Sequence, residues 1–199
     1  MSANIYIVID RSGSMVSMWQ QAVDGVNGYV KEIANTAPDA VITVVAFDSD
    51  KPYDKIRTNV RAGKFKAIYK EEISPRGSTP LFDAAGNALA EAESDGAERT
   101  TVVIMTDGHE NASKEFTREG IKARVARAME KGWDVIFLGA DFDVTQYSND
   151  FGIAKGDNLT FSAHNFGEAF AATAMRSASY AATGMKSTYS DEFKSKMEK

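Results

Sequence analysis

The chain switches repeatedly between two hydrophobic periods, and that alternation restricts its fold more than any other feature. Residues 5–9 (Ile-Tyr-Ile-Val-Ile) make a short unbroken apolar run, the pattern of a strand buried on both faces of a sheet. From Trp19 the apolar positions are Trp19, Ala22, Val23, Val26, Tyr29, Val30 and Ile33. They are spaced by threes and fours, as on one face of a helix, and Pro38 ends the pattern. The same pair of signals recurs. Buried strands are expected over 41–47, 100–105, 135–138 and 158–161, the first of them rich in β-branched residues. Helices are expected over 81–93, from Phe116 to about Lys131 with Gly132 at the end, and from about Phe166. Residues 52–74 hold few apolar positions and many lysines, and read as one or two edge strands in a hairpin.

Strand alternating with helix predicts an α/β fold: a doubly wound, mostly parallel central sheet with helices on both faces and one antiparallel edge strand. Ligands of such folds sit beyond the C-terminal strand ends, where the strand order reverses. No repeat, low-complexity block or Pro-rich linker divides residues 1–199, so a single domain is expected, with the polar tail 186–199 frayed.

Composition narrows the chemistry. There is no cysteine, which removes disulfides, thiolate zinc sites and cysteine nucleophiles, and His109 and His164 are the only histidines. Lys and Arg total 23 against 28 Asp and Glu, a net charge of −5, which argues against nucleic acid or an anionic membrane as main partner. The first apolar run is too short for a leader or a membrane span and has no basic flank, so a cytoplasmic location is expected.

Three polar clusters follow strands or enter helices. They are Asp10-Arg11-Ser12-Gly13-Ser14-Met15, Gly77-Ser78-Thr79-Pro80-Leu81-Phe82-Asp83 and Thr106-Asp107-Gly108-His109-Glu110-Asn111. If they share one edge of the sheet, Asp10, Ser12, Ser14, Thr79 and Asp107 converge there. Two carboxylates and three hydroxyls are hard oxygen donors, suited to magnesium, with manganese or calcium as alternatives.

Together these clusters make the chain resemble a von Willebrand factor A domain with a metal-ion-dependent adhesion site, in the version common in bacterial and phage members. Asp10, Ser12 and Ser14 match the Asp-x-Ser-x-Ser element, Thr79 the separate threonine, and Asp107 the aspartate after the central strand. The three-part set is far more specific than Asp-x-Ser-x-Ser alone. The resemblance implies that Ser12, Ser14 and Thr79 touch the metal, with the aspartates binding directly or through water. It also implies a non-catalytic module that captures an acidic residue of a partner protein, such as an AAA-type ATPase or an assembly component.

Plainer roles stand beside these. Thr79 before Pro80 also reads as a helix N-cap, Asp107-Gly108 as a turn, and Asp83 as a charge at a helix N-terminus. Arg11 reads as solvated or locally paired, Glu110 as near the metal or solvated, and His109 as exposed. Asp48 and Asp50 read by default as solvated loop acids. The competing function is a metal-dependent hydrolase or phosphotransfer enzyme. Against it, Ser12 stands where an aspartyl phosphatase wants a second acid, and neither a phosphate-binding loop nor a dinucleotide Gly-x-Gly-x-x-Gly is present. A third reading is a structural part of a phage or bacterial assembly whose metal only stabilises loops.

Overall fold

A computed structural model of the protein describes residues 3–199, the side chain of Gln146 excepted. The first two residues of the expected single domain therefore lie outside the described residues. Six strands form one sheet: β1 Ala3–Asp10, β2 Val41–Phe47, β3 Asp54–Arg61, β4 Arg99–Thr106, β5 Asp134–Ala140 and β6 Asn158–Phe161. Their order is β3-β2-β1-β4-β5-β6. Every pairing is parallel except β2 with β3, which is antiparallel. The expected doubly wound sheet with one antiparallel edge strand is thus present. Six helices accompany it: α1 Trp19–Thr36, α2 Leu81–Asp95, α3 Arg118–Glu130, α4 Thr145–Phe151, α5 Phe166–Thr183 and α6 Asp191–Met197.

Period-two alternation in the strands feeds two cores. Ile5, Ile7 and Ile9 of β1 face a layer holding α1 and α5, while Tyr6 and Val8 face α2 and α3. Burial of both faces explains why β1, β2, β4 and β5 read as continuous apolar runs. The strand order reverses between β1 and β4, so the ends of those two neighbours flank the crevice where such folds place ligands.

Local differences from the sequence reading have physical causes. Residues 52–74 give one edge strand, β3, which forms a hairpin with β2, and no second strand. After β3 the chain makes a short 3-10 turn at Ala62–Lys64 and runs irregularly, because it is fastened along α1. Residues 141–153 hold a further helix, α4, too short to show a period. The tail does not lie loose: Ser190 caps α6 by accepting from the Phe193 N–H, and Tyr189, Lys194 and Met197 are buried. The Lys194 ammonium donates to the Asn158 side chain and the Lys155 carbonyl, and the Tyr189 hydroxyl pairs with Thr173. No helix among the described residues is long and apolar enough to cross a membrane.

Candidate functional site

Three loops meet at the carboxyl ends of β1 and β4. The Gly13 N–H donates to the Gly77 carbonyl, and the Arg76 N–H donates to the Arg11 carbonyl. Those two bonds lay the loop before α2 on the turn after β1. Gly77 sits at φ +65°, and a Cβ there would lie 2.5 Å from the Ser49 hydroxyl, so only glycine fits this crossing. The loop after β4 joins the loop before α2 through a reciprocal pair. The Asn111 N–H donates to the Thr79 carbonyl, and the Thr79 N–H donates to Oδ1 of Asn111.

Four of the side chains singled out in the sequence, Asp10, Ser12, Ser14 and Asp107, are linked to one another within this framework. The Ser12 and Ser14 hydroxyls are 3.0 Å apart, and the Ser14 hydroxyl donates to Asp107 Oδ1 at 2.8 Å. Asp10 lies beneath them with both oxygens engaged: Oδ1 accepts the Ser12 N–H at 2.7 Å and Oδ2 the Thr106 hydroxyl at 2.6 Å. Asp10, Ser12 and Thr79 are buried, whereas Ser14 is exposed, so the cluster opens to solvent on one side. Thr79 is tied through its backbone to Asn111 in the loop after β4. It does not cap α2: that helix begins at Leu81, its cap position is Pro80, and no side chain caps it. The first helical N–H groups are satisfied from the other loop, Phe82 by Glu110 and Asp83 by Ser113.

Burial controls the charge here. Loss of solvent pushes the Asp10 carboxyl up to about 6, despite opposing hydrogen bonds from Thr106 and Ser12. Burial also raises Asp107; Ser14 pulls it back, and the charge of Asp141 adds to the rise. Two carboxylates that resist ionisation side by side would both be stabilised by a cation. The oxygen spacing fits one as well. Adjacent ligands of an octahedral magnesium at 2.0–2.1 Å stand about 2.9 Å apart, close to the separations along Ser12, Ser14 and Asp107. Among the described residues no three His, Cys, Asp or Glu side chains gather as a metal-binding group. The donor set at this site is two carboxylates plus hydroxyls.

Six nearby residues have roles the sequence left open or misassigned. Asp48 is not a solvated rim acid; it is buried, paired with Arg11 and Arg76, and accepts the Asp50 and Lys51 N–H groups. Burial alone would raise its carboxyl, but these bonds and the Arg11 charge hold it below the ordinary value. Arg11 is buried with it and also reaches Asp54 at 2.8 Å, so it fastens the ends of β1 and β2 to the start of β3. Asp83 sits in the first turn of α2, but its carboxylate accepts the N–H groups of Lys114, Glu115 and Phe116. Glu110 accepts from Phe82, Ala112 and twice from Ser113, so it shapes the loop. Its spacing to Ser113 was the available clue. Thr106, a buried hydroxyl at a strand end, gave none. His109 is exposed, bonded to the Tyr147 hydroxyl at 2.9 Å and packed on Phe142.

Comparison with known proteins agrees with this architecture. No curated protein matches the chain in sequence. Among solved structures, it is similar to proximal thread matrix protein 1 from the mussel byssus, at 18% identity and TM-score 0.69 over 89% of this chain and 46% of that one. It is also similar to the pilus adhesin SpaC from Lactobacillus rhamnosus GG, at 13% identity and TM-score 0.71 over 90% and 30%. A third is the manganese-loaded TRAP protein of Plasmodium vivax, at 15% identity and TM-score 0.62 over 85% and 73%. At these identities the likeness is one of fold, and the chain spans less than half the length of the first two. The family model for the von Willebrand factor type A domain matches residues 4–175, and the chain belongs to that family.

Proposed function

We propose that the loops at the ends of β1 and β4 hold a magnesium ion and that the protein is a non-catalytic binding module for an acidic group of a partner protein. The observation that carries this reading is the hydrogen-bonded run Ser12, Ser14, Asp107, with Asp10 bonded to Ser12 beneath it. Asp10, Ser12, Ser14, Thr79 and Asp107 form the metal-ion-dependent adhesion site. Ser12, Ser14 and Thr79 supply neutral oxygens, and the two aspartates supply negative charge, directly or through water. A bound magnesium supplies a Lewis-acidic position that two carboxylates and three neutral hydroxyls leave open to a further anionic oxygen. Ser14 stands at the exposed side of the cluster, where that oxygen would approach. The manganese in one structural relative supports a divalent ion in this fold. The partner is an acidic surface of another protein, such as an AAA-type ATPase or an assembly component. A cytoplasmic setting and a bacterial or phage-type assembly belong to the same reading.

The test is calorimetric titration of magnesium into the metal-free protein and into Asp10→Ala and Asp107→Ala. Binding is expected in the parent and lost in both variants. Unchanged affinity in the two variants overturns the site. A broad hydrolase screen with and without magnesium separates this reading from the enzymatic one, which predicts metal-dependent turnover that disappears in Asp10→Ala.

A further inference from the structure

The 16 residues from Lys55 to Lys70 carry six Lys and Arg and no Asp or Glu. Subtracting that +6 from the chain's −5 leaves −11 on the remainder. The segment covers most of β3 and the irregular run after it, and its positive groups are not all spent on internal pairs. Lys55 pairs with Glu91, Arg57 with Glu72, and Arg61 loosely with Asp39. Lys64, Lys66 and Lys70 are exposed and make no ion pair among the described residues, and neither does Lys31 on the facing side of α1. Tyr69, in the same run, is 66% exposed.

This run is held in place. The Asn27 side chain both donates to the Ile68 carbonyl at 2.8 Å and accepts its N–H at 2.9 Å. The Arg57 guanidinium donates to the Lys66 and Ala67 carbonyls, and the Gly63 N–H donates to the Pro38 carbonyl. Between the run and α1 lies an open groove of about 420 Å³, with Ala34, Ala62, Phe65 and Ala67 among its lining and Lys31 at its side. An apolar, preformed groove lined by Lys31, with exposed Lys64, Lys66 and Lys70 in the segment that forms its other wall, is matched by a ligand that carries both apolar side chains and carboxylates.

We infer that the groove between α1 and residues 62–67 docks an acidic segment of a partner protein, with apolar side chains in the groove and carboxylates on Lys31, Lys64, Lys66 and Lys70. Charge complementarity selects this occupant. A long polyanion, whether nucleic acid or an anionic membrane, extends past the patch onto a surface whose remaining charge is −11 and is repelled there. A short acidic segment meets only the basic patch, and the apolar lining adds contact that a phosphate chain cannot use. The surface is separate from the Asp10 and Asp107 cluster, so it stands whether or not that cluster binds metal.

Fluorescence anisotropy with a short labelled peptide alternating Glu and Asp with Leu and Phe tests the inference, in low salt with chelator present. The peptide is expected to bind the parent and Asp10→Ala equally. Affinity should fall roughly tenfold or more, about 1.4 kcal/mol or more, in Lys64→Glu/Lys66→Glu/Lys70→Glu, and also in Ala34→Gln, which fills the groove. Circular dichroism checks that the variants fold; these positions are exposed or only partly buried. Raised salt weakens the peptide by screening. Absent binding, or equal binding by parent and charge-reversed variant, overturns the proposal. So does an all-Glu peptide that binds as tightly, since the apolar lining then plays no part. Capture of single-stranded DNA or of phosphatidylserine vesicles in preference to the peptide overturns it as well. Self-association abolished by the same substitutions would assign the groove to a second copy of the chain.

Discussion

At the scale of single residues, the site separates groups that offer oxygen atoms from groups that hold shape. Asp10 belongs to the first kind and sits at an energetic cost when charged. Its folded value of about 6 lies above its ordinary 3.8, so its contribution to metal-free stability is fully present below the ordinary value and is lost as pH rises through the folded one. Magnesium requires the ionised form. The rise in melting temperature on adding magnesium should therefore be large near about pH 8 and fade below about pH 6, as protons compete for the carboxylate. Thermal scans across that range check it, and a shift independent of pH would count against Asp10 as a participant. Asp48 belongs to the second kind. Asp48→Ala leaves the buried Arg11 guanidinium without its main partner and should cost about 3–5 kcal/mol in a urea denaturation experiment.

At the scale of elements, hydrophobic period announced most of the frame, because β1, β2, β4 and β5 are buried on both faces and α1 and α5 each bury one side. Elements that answer to tertiary contact were not legible. The stretch after β3 is shaped by Asn27 and Arg57, α4 has only seven residues, and α6 is ordered by a cap and a few buried side chains. The site divides similarly. Its oxygen donors lay in a readable motif, whereas Asp83 and Glu110 work through backbone N–H groups of a loop whose path no local pattern specifies. Asp83→Ala should leave the three N–H groups of residues 114–116 without their carboxylate acceptor. We expect a loss of about 2–3 kcal/mol and faster amide exchange confined first to that loop. Gly86 reports the same contact, since a Cβ there would meet the Phe116 ring at 2.6 Å. Gly86→Ala should lower stability by about 1–3 kcal/mol through overpacking, measured by denaturation.

At the scale of the whole molecule, residues 186–199 close one end of the fold. Lys194 reaches Asn158 at the start of β6, Lys186 reaches the Trp133 carbonyl, and Tyr189 meets Thr173 of α5 beside the buried pair of Arg176 and Asp134. Removing those residues should lower the melting temperature by several degrees, roughly what a loss of 1–2 kcal/mol gives, and an unchanged value would restore the frayed tail expected from sequence. At the other side of the molecule, the chain from Ala62 to Thr79 climbs along α1. It starts beside Pro38, passes Asn27, offers the Ile73 carbonyl to Trp19 and arrives at the loops beyond β1 and β4. One continuous strap thus carries both proposed contact points. A partner gripping both would have its second grip at high effective concentration once the first is made. It would leave slowly even if each contact alone exchanged fast, because the overall affinity would approach the product of two modest ones scaled by that effective concentration.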